Sequence, residues 1–265
     1  MYTPSQLAAK YIRYYLTASS GKGHGIHSPF VFDFITHVLN NKNWFDGYDK
    51  VENCRQRLLA DRRVLTIEDF GAGSAAGNKK QKTVQSIAKN AAKSRKFGRL
   101  LFRIANYYQP ASMIELGTSL GISAACLSLG NPSGTLVTCE GAPAIAAVAR
   151  ENFDQLGIHN ASVTVGNFDE TLPLVLARST GIDLAFIDGN HRRAPTLQYF
   201  AELLHTMNNP GIIIFDDIHW SRDMEAAWQD IKDHPASMLT IDLFFIGLVF
   251  FNPAFKVKQH FVIRF

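Results

Sequence analysis

The amino-acid sequence predicts an α/β fold with a doubly wound, mostly parallel sheet of seven strands. From Ala111 onward, short apolar runs alternate with helix-like segments, a spacing typical of βαβ units. The runs are almost continuously apolar, as expected for strands that helices cover on both faces. The last two runs follow only short links, so we expect antiparallel C-terminal strands at the edge of the sheet.

The seven predicted strands are bounded by turn residues or by segments of helical length. In chain order they read SMIEL, TLVTCE, ASVTV, IDLAFID, GIIIFDD, MLTIDLFFIGLVFF and KQHFVIRF. The segments between the first five have helical periodicity, which identifies them as crossover helices.

The first part of the chain has a different pattern, which predicts two domains. Residues 1–108 form a helical N-terminal extension, and residues 109–265 form the sheet domain. A first helix is expected over residues 5–16, with Ser5 as its cap, and Pro29 opens a second. A third helix is expected around residues 48–62. The glycines at 71–77 indicate either a lid over a site or a plain surface turn.

Composition indicates an ordinary globular protein. The 265 residues are 46% hydrophobic and 19% charged, with a formal net charge of +4, which favours anionic partners mildly. Cys54, Cys126 and Cys139 show no spacing pattern, which indicates buried free thiols in a reducing compartment. The N-terminus lacks the apolar core of a signal peptide, and no apolar run is long enough to span a bilayer. We therefore expect a cytoplasmic location and no membrane partner.

The stretch GTSLG, Gly117 to Gly121, has two chemical interpretations. It matches the G-x-S-x-G turn of serine hydrolases, with Ser119 as nucleophile. Asp188 and His219 follow in the order that a hydrolase requires. However, the region upstream is mostly helical and lacks the glycine-rich segment that would form an oxyanion hole, so the hydrolase is the less favoured alternative.

The same turn also suits a nucleotide-like cofactor, because it follows the first predicted strand of a doubly wound sheet. It does not match G-x-G-x-x-G, and Glu115 beside it would repel a pyrophosphate. A cofactor with positive charge, such as S-adenosylmethionine, fits better. Glu140 ends the second strand, where an acid accepts hydrogen bonds from ribose hydroxyls. A similar pattern at residues 67–77 is excluded because no acid ends a strand after it.

Together these residues resemble the class I S-adenosylmethionine-dependent methyltransferases from Ala111 to the C-terminus. The motifs are ELGTSLG, Glu140, GNFDETLP and FIDGNH; with IIIFDDIHW, they resemble small-molecule O-methyltransferases of the catechol and caffeoyl-CoA type and their bacterial relatives. The resemblance implies a Rossmann-like methyltransferase fold, with the N-terminal extension closing over the acceptor. The cofactor contacts that it implies are Glu115, Gly117, Thr118, Ser119, Gly121, Glu140, Gly141, Asn167, Phe168 and Asp188.

Three carboxylates follow the fourth and fifth predicted strands. Asp188, Asp216 and Asp217 gather at the switch point of a sheet ordered 3-2-1-4-5. Oxygen ligands of this kind suit Mg²⁺ or another divalent cation. The resembled family has an Asp-Asn pair where this chain has Asp216 and Asp217. The alternative is that these acids cap helices or contact the cofactor.

Two histidines are candidates for the general base that takes the proton of an acceptor hydroxyl. His191 stands where the resembled family has a lysine, three residues after the first metal-binding Asp, and His219 follows Asp217 by two residues. A histidine titrates near neutral pH and suits this role. The alternative for each is a loop histidine. Trp220 either forms a wall of the acceptor pocket or packs in the core.

Residues 79–103 contain nine Lys or Arg and no acid, and they predict an amphipathic helix with a basic face. This stretch also leaves open an anionic acceptor or an RNA-directed methyltransferase. The leading interpretation is O-methylation of a small-molecule hydroxyl. A cofactor-binding regulatory protein without catalysis is a further alternative, and the aromatic N-terminus suggests a homodimer surface.

Overall fold

The computed structural model describes residues 1–68, 79–91 and 94–265. They pack as two compact units, one formed by residues 1–41 with 179–265 and the other by residues 42–178. The sequence predicted a domain boundary between residues 108 and 109, which differs from this division into units. The two predicted domains stay a prediction. The glycine-rich segment at 71–77 lies outside the described residues.

The helices and strands follow the predicted alternation from residue 111 onward. The helices are α1 (Pro4–Thr17), α2 (Pro29–Phe34), α3 (Asp46–Ala60), α4 (Val84–Ala91), α5 (Arg95–Tyr108), α6 (Ile122–Gly130), α7 (Pro143–Leu156), α8 (Phe168–Leu176), α9 (Arg193–Leu204) and α10 (Arg222–Asp233). A short π-helical segment, Ile35–Leu39, continues α2. The strands are β1 (Val64–Glu68), β2 (Lys79–Thr83), β3 (Ser112–Leu116), β4 (Thr135–Glu140), β5 (Ala161–Val165), β6 (Ile182–Ile187), β7 (Met207–Asp216), β8 (Leu239–Asp242), β9 (Ile246–Phe251) and β10 (Gln259–Val262).

The main sheet is mostly parallel and has eight strands, one more than the sequence predicted. In the first unit the strand order is β10-β8-β9-β7-β6, and in the second it is β3-β4-β5. The additional strand arises because residues 238–251 turn back at Phe244, which has a φ of +71°. Asp242 stabilises that turn by accepting the backbone N–H of Phe244 at 2.8 Å.

The predicted antiparallel C-terminal strands are present in part. Strand β9 runs antiparallel to β7 and to β8, whereas β10 runs parallel to β8. The neighbours β3, β4 and β5 are parallel, and so are β6 and β7. The carboxyl ends of β3, β4 and β5 thus share one edge, and so do those of β6 and β7, which positions the acids at these strand ends.

The N-terminal helices form close to their predicted positions. Helix α1 is capped by Thr3, whose hydroxyl accepts the N–H of Gln6, and not by Ser5. Ser28 caps α2, which Pro29 opens as predicted. The side chains of Ile12, Tyr15 and Leu16 are exposed on α1, and a homodimer through this surface stays a prediction.

The basic stretch 79–103 is not one helix, which corrects the sequence interpretation. Residues 79–83 form β2, which pairs antiparallel with β1 in register from Val64 opposite Thr83 to Glu68 opposite Lys79. Pairing with a neighbouring strand has overridden the helical preference of these lysines. Two separate helices, α4 and α5, follow.

The described residues give the burial of the cysteines and the length of the helices. The three cysteines are buried and free, as predicted. None of the described helices combines the length and apolarity needed to cross a bilayer. The cytoplasmic location stays a prediction.

We predict that Gly247→Ala lowers the free energy of unfolding. A Cβ at residue 247 would lie 2.8 Å from the ring of Trp228, whose indole N–H is held by Asp242. Such overpacking costs about 1–3 kcal/mol. Urea denaturation measures the loss. Gly141→Ala is the matched control, because nothing lies within 4 Å of its Cβ position. Equal stability of the two variants would contradict the prediction.

Candidate active site

The turn between β3 and α6 is held in a left-handed conformation that the glycines permit. Gly117 and Gly121 have φ values of +106° and +83°, and Ser119 has +47°. The N–H groups of Gly117 and Thr118 both donate to the carbonyl of Cys139, at 2.9 and 3.1 Å. A Cβ at Gly121 would approach the ring of Phe153 to 2.8 Å, so this position requires glycine.

Glu140, at the end of β4, fixes this turn through its carboxylate. One oxygen accepts the N–H of Ser119 at 2.8 Å, and the other accepts the N–H of Ala142 at 2.9 Å. Burial raises the pKa of Glu140, and these backbone donors oppose the increase without cancelling it. A carboxylate has about four acceptor positions, so these backbone donors leave acceptor capacity for a ligand such as a ribose.

Glu115 lies in β3 and is fully buried. The hydroxyl of Thr138 donates to its carboxylate at 2.5 Å, and the hydroxyls of Thr138 and Thr118 are 2.6 Å apart. Glu115 therefore supports the glycine turn from beneath, through two threonines. Its predicted contact with the cofactor stays a prediction.

The third predicted cofactor segment follows β5. Asn167 caps α8, and its side-chain oxygen accepts the N–H of Asp169 at 3.3 Å. The N–H of Gly166 donates to the carbonyl of Glu140 at 3.0 Å, so the ends of β4 and β5 are joined. Asn167 and Phe168 are partly exposed. The second unit thus gathers nine of the ten predicted cofactor residues from its three strand ends, whereas Asp188 lies in the first unit.

In the first unit, the structure brings together Asp188, His191 and Asp216. Each offers one ligand atom, and these atoms all lie within 4.8 Å of one another. The ring Nε2 of His191 is 3.7 Å from the Asp188 carboxylate, and Asp216 is buried. Asp217 does not belong to this group; its φ is +55°, and its N–H donates to the carbonyl of Phe245. His191 takes the place in the group that the sequence predicted for Asp217.

His219 occupies a different environment, a network of carboxylates. Its Nε2 lies 2.8 Å from Asp242, and its Nδ1 lies 3.1 Å from Glu225. Burial lowers the pKa of His219, but the two carboxylates outweigh it and the pKa is raised. A histidine that holds its proton between two carboxylates is poorly suited to act as a base. The geometry disfavours the predicted base role of His219.

A cavity of about 590 Å³ lies in the first unit beside His191. Its lining comes from the N-terminus, the segment after β6 and the segment after β7: Met1, Tyr2, Gln6, His191, Arg192, Trp220, Ser221, Arg222 and Asp223. Pockets for small ligands have volumes of roughly 300–1,000 Å³. Trp220 therefore forms part of a pocket wall rather than the core.

Sequence reasoning missed several residues of this region. Asp242 and Glu225 bind His219, while Arg192 and Arg222 line the cavity. Nothing local in the sequence marks the first pair, because their partner is brought to them by packing. The arginines follow FIDGNH and precede α10, and that position next to acidic strand ends could have identified them.

Most arginine side chains of α5 form contacts within the protein. Arg95 pairs with Glu52 at 2.6 Å, and Arg99 stacks over the rings of Trp44 and Tyr48. Arg103 is buried. These contacts leave a smaller basic surface than the sequence suggested for RNA.

Ser119 lacks the environment of a nucleophile. Within the described residues its hydroxyl has no hydrogen-bond partner, and only its backbone N–H is used, toward Glu140. His219 is bonded to Asp242 and Glu225, not to Asp188. The serine-hydrolase alternative is therefore not favoured.

Known proteins resemble this chain both in sequence and in fold. Residues 114–218 match the family of methyltransferase domains. A catechol O-methyltransferase of Niastella koreensis is 32% identical over 123 residues, which cover 45% of this chain and 54% of that protein. The chain thus spans about half the length of the curated relatives that it matches.

Solved structures share the fold over most of the chain. The SAH-bound Podospora anserina methyltransferase PaMTH1 has a TM-score of 0.58 at 16% identity, covering 95% of this chain and 98% of that one. An O-methyltransferase from Bacillus cereus in complex with SAH has a TM-score of 0.54 at 18% identity, covering 83% and 97%. The chain therefore shares its fold with these methyltransferases, and residues 114–218 match the family of methyltransferase domains.

We predict that the network around His219 stabilises the fold in a pH-dependent way. Because the folded pKa is raised above the ordinary 6.5, the stabilisation is complete below 6.5 and disappears as pH rises through the folded value. The difference in unfolding free energy between wild type and His219→Gln should be largest near pH 6 and shrink at alkaline pH. Urea titrations across pH measure it, and a constant difference would contradict the network.

Proposed function

We propose that this protein transfers a methyl group from S-adenosylmethionine to a hydroxyl of a small-molecule acceptor. The match of residues 114–218 to methyltransferase domains supports the reaction type. The similarity to a catechol O-methyltransferase supports oxygen as the methylated atom. The observation that carries the proposal is the Glu140 carboxylate, which holds the Ser119 turn and keeps acceptor capacity.

The residues of the second unit fit this cofactor. Glu140 would accept hydrogen bonds from the ribose, and the turn from Gly117 to Ser119 would contact the amino-acid part. Gly141 leaves open space beside Glu140, because a Cβ there would meet nothing within 4 Å. The carboxylate of Glu140 suits a ligand that has a sulfonium and an ammonium group and lacks phosphate. When bound, S-adenosylmethionine supplies an electrophilic methyl carbon.

The chain must then make the acceptor oxygen nucleophilic. The acceptor oxygen would be the nucleophile toward the methyl group that the cofactor supplies, the sulfur would be the leaving group, and the acceptor proton would pass to a base or to solvent. Within the first unit, the side chains whose chemistry suits this task are those of Asp188, His191 and Asp216. Positioning the hydroxyl against the methyl carbon provides much of the rate increase in such a displacement.

We further propose that Asp188, His191 and Asp216 hold a divalent cation. Opposite ligand atoms around a small divalent ion are roughly 4 Å apart. Because the three ligand atoms here lie within 4.8 Å of one another, small rotations of the side chains would bring them to coordination distance. Two carboxylates suit hard ions, while an imidazole shifts the preference toward Mn²⁺ or Zn²⁺. A bound cation would lower the pKa of the acceptor hydroxyl.

His191 has two possible roles, which one variant separates. As a metal ligand it would contribute to cation affinity; as a base it would take the acceptor proton without affecting that affinity. Its position in the cavity lining is compatible with both roles. His191→Asn therefore decides between them by its effect on cation binding.

We predict that Glu140→Gln weakens binding of S-adenosylhomocysteine by about tenfold or more, because hydrogen bonds to a charged group are lost. Calorimetric titration measures the dissociation constant. Glu170→Gln is the matched control, since Glu170 is exposed in the first turn of α8. Equal affinity of the Glu140 variant and wild type would remove Glu140 from the site. Absence of binding to wild type would refute the proposed function.

We predict that Mn²⁺ binds the wild-type protein and that Asp188→Asn or Asp216→Asn removes this binding. The group has two anionic ligands, and removing the charge of one weakens the site by about tenfold or more. Electron paramagnetic resonance of free Mn²⁺ measures the affinity. Asp217→Asn is the control and should retain it, since Asp217 lies outside the group. Loss of Mn²⁺ binding in the Asp217 variant alone would contradict the assignment.

A further inference from the structure

The cavity beside His191 has a charge that the proposed function does not by itself require. Its ionisable lining consists of two arginines, one aspartate and His191. Among the residues that the structure describes, the guanidinium of Arg192 donates only to the side-chain carbonyl of Asn190, at 3.0 and 3.2 Å. Because that partner is a neutral amide, the charge of Arg192 is not compensated there.

Arg222 stands at the first position of α10 and is exposed. It forms no ion pair within residues 1–68, 79–91 and 94–265. The single carboxylate of the lining, Asp223, accepts the backbone N–H of Arg193 at 2.6 Å. The cavity therefore has more guanidinium than carboxylate, and Asp223 is already engaged.

The remaining polar groups of the lining are occupied or neutral. The Tyr2 hydroxyl donates to Glu225 at 2.6 Å, and the Gln6 side-chain oxygen accepts the N–H of Thr3. The indole of Trp220 provides a flat apolar surface beside them. A cavity with an aromatic wall and two uncompensated guanidinium groups is complementary to a ring that carries an oxyanion.

We propose that this cavity binds an acceptor that carries a carboxylate or phosphate group, and that Arg192 and Arg222 bind the oxyanion. Calling the ligand an acceptor rests on the proposed function, whereas binding of an anion in this cavity does not require methyl transfer. His191 joins the two regions of the first unit, since it lines the cavity and belongs to the group with Asp188 and Asp216. The anionic group would orient the acceptor so that its hydroxyl faces that group.

The test compares probes that differ in charge. Binding of 3,4-dihydroxybenzoate, its neutral analogue 3,4-dihydroxybenzamide and 4-hydroxyphenyl phosphate is measured by calorimetry on the full chain in the presence of S-adenosylhomocysteine. Wild type should prefer at least one anion over the amide by about tenfold or more. The carboxylate and phosphate probes show which oxyanion the site takes.

Three variants test the assignment of residues. The double variant Arg192→Gln/Arg222→Gln should lose the preference, whereas Asp223→Asn should increase it, because the carboxylate opposes the anion. Arg13→Gln is the control for a lost charge, since Arg13 is exposed on α1 and does not line the cavity. Circular dichroism of each variant confirms that it is folded.

The outcomes separate this inference from the proposed function. Equal binding of the anions and the amide to wild type, binding of none, or a preference that survives in the double variant overturns the anion site. When S-adenosylmethionine replaces S-adenosylhomocysteine, methylation of 3,4-dihydroxybenzamide without any anion preference would overturn the anion site and leave the proposed function intact. Anion binding that depends on the arginines, without methylation of any probe hydroxyl, would support the site and count against the proposed function.

Discussion

The buried carboxylate of Asp242 is the interaction on which the first unit depends. One oxygen accepts the N–H of Phe244 and shapes the turn between β8 and β9, while the other binds both His219 and the indole of Trp228. Through His219 the network reaches Glu225. A buried carboxylate is costly unless its oxygens accept hydrogen bonds, and three groups satisfy Asp242: the N–H of Phe244, the ring of His219 and the indole of Trp228.

This network also fixes the segment that lines the cavity. Glu225 accepts the Tyr2 hydroxyl and the Lys10 ammonium, which attaches the N-terminal residues to α10. Burial raises the pKa of Glu225, but its hydrogen-bond donors lower it by more. The pKa is therefore lowered, and Glu225 remains ionised at neutral pH. The residues between His219 and Glu225 are thus held at both ends. The N-terminal segment is thereby part of the cavity wall.

The sequence predicted the parts of the site that follow directly from parallel strands. Because such strands end at one edge, an acid after β4 and acids after β6 and β7 could be placed without knowing the packing. The π-helical segment, the hairpin at Phe244 and the strand at 79–83 could not be predicted, because each depends on tertiary pairing. Asp217 looked equivalent to Asp216, but its positive φ turns the backbone at that residue. No local pattern signals that turn in an aspartate.

Two histidines illustrate why spacing alone does not assign chemistry. His191 follows Asp188 by three residues, and His219 follows Asp216 by three. His219 is fixed by two carboxylates from elsewhere in the fold and stacks on Phe244. His191 instead lines a cavity and lies next to the acids of its own strand ends. The neighbours that packing supplies make the difference: carboxylates at both ring nitrogens raise the pKa of His219, whereas His191 lies beside a cavity and two aspartates.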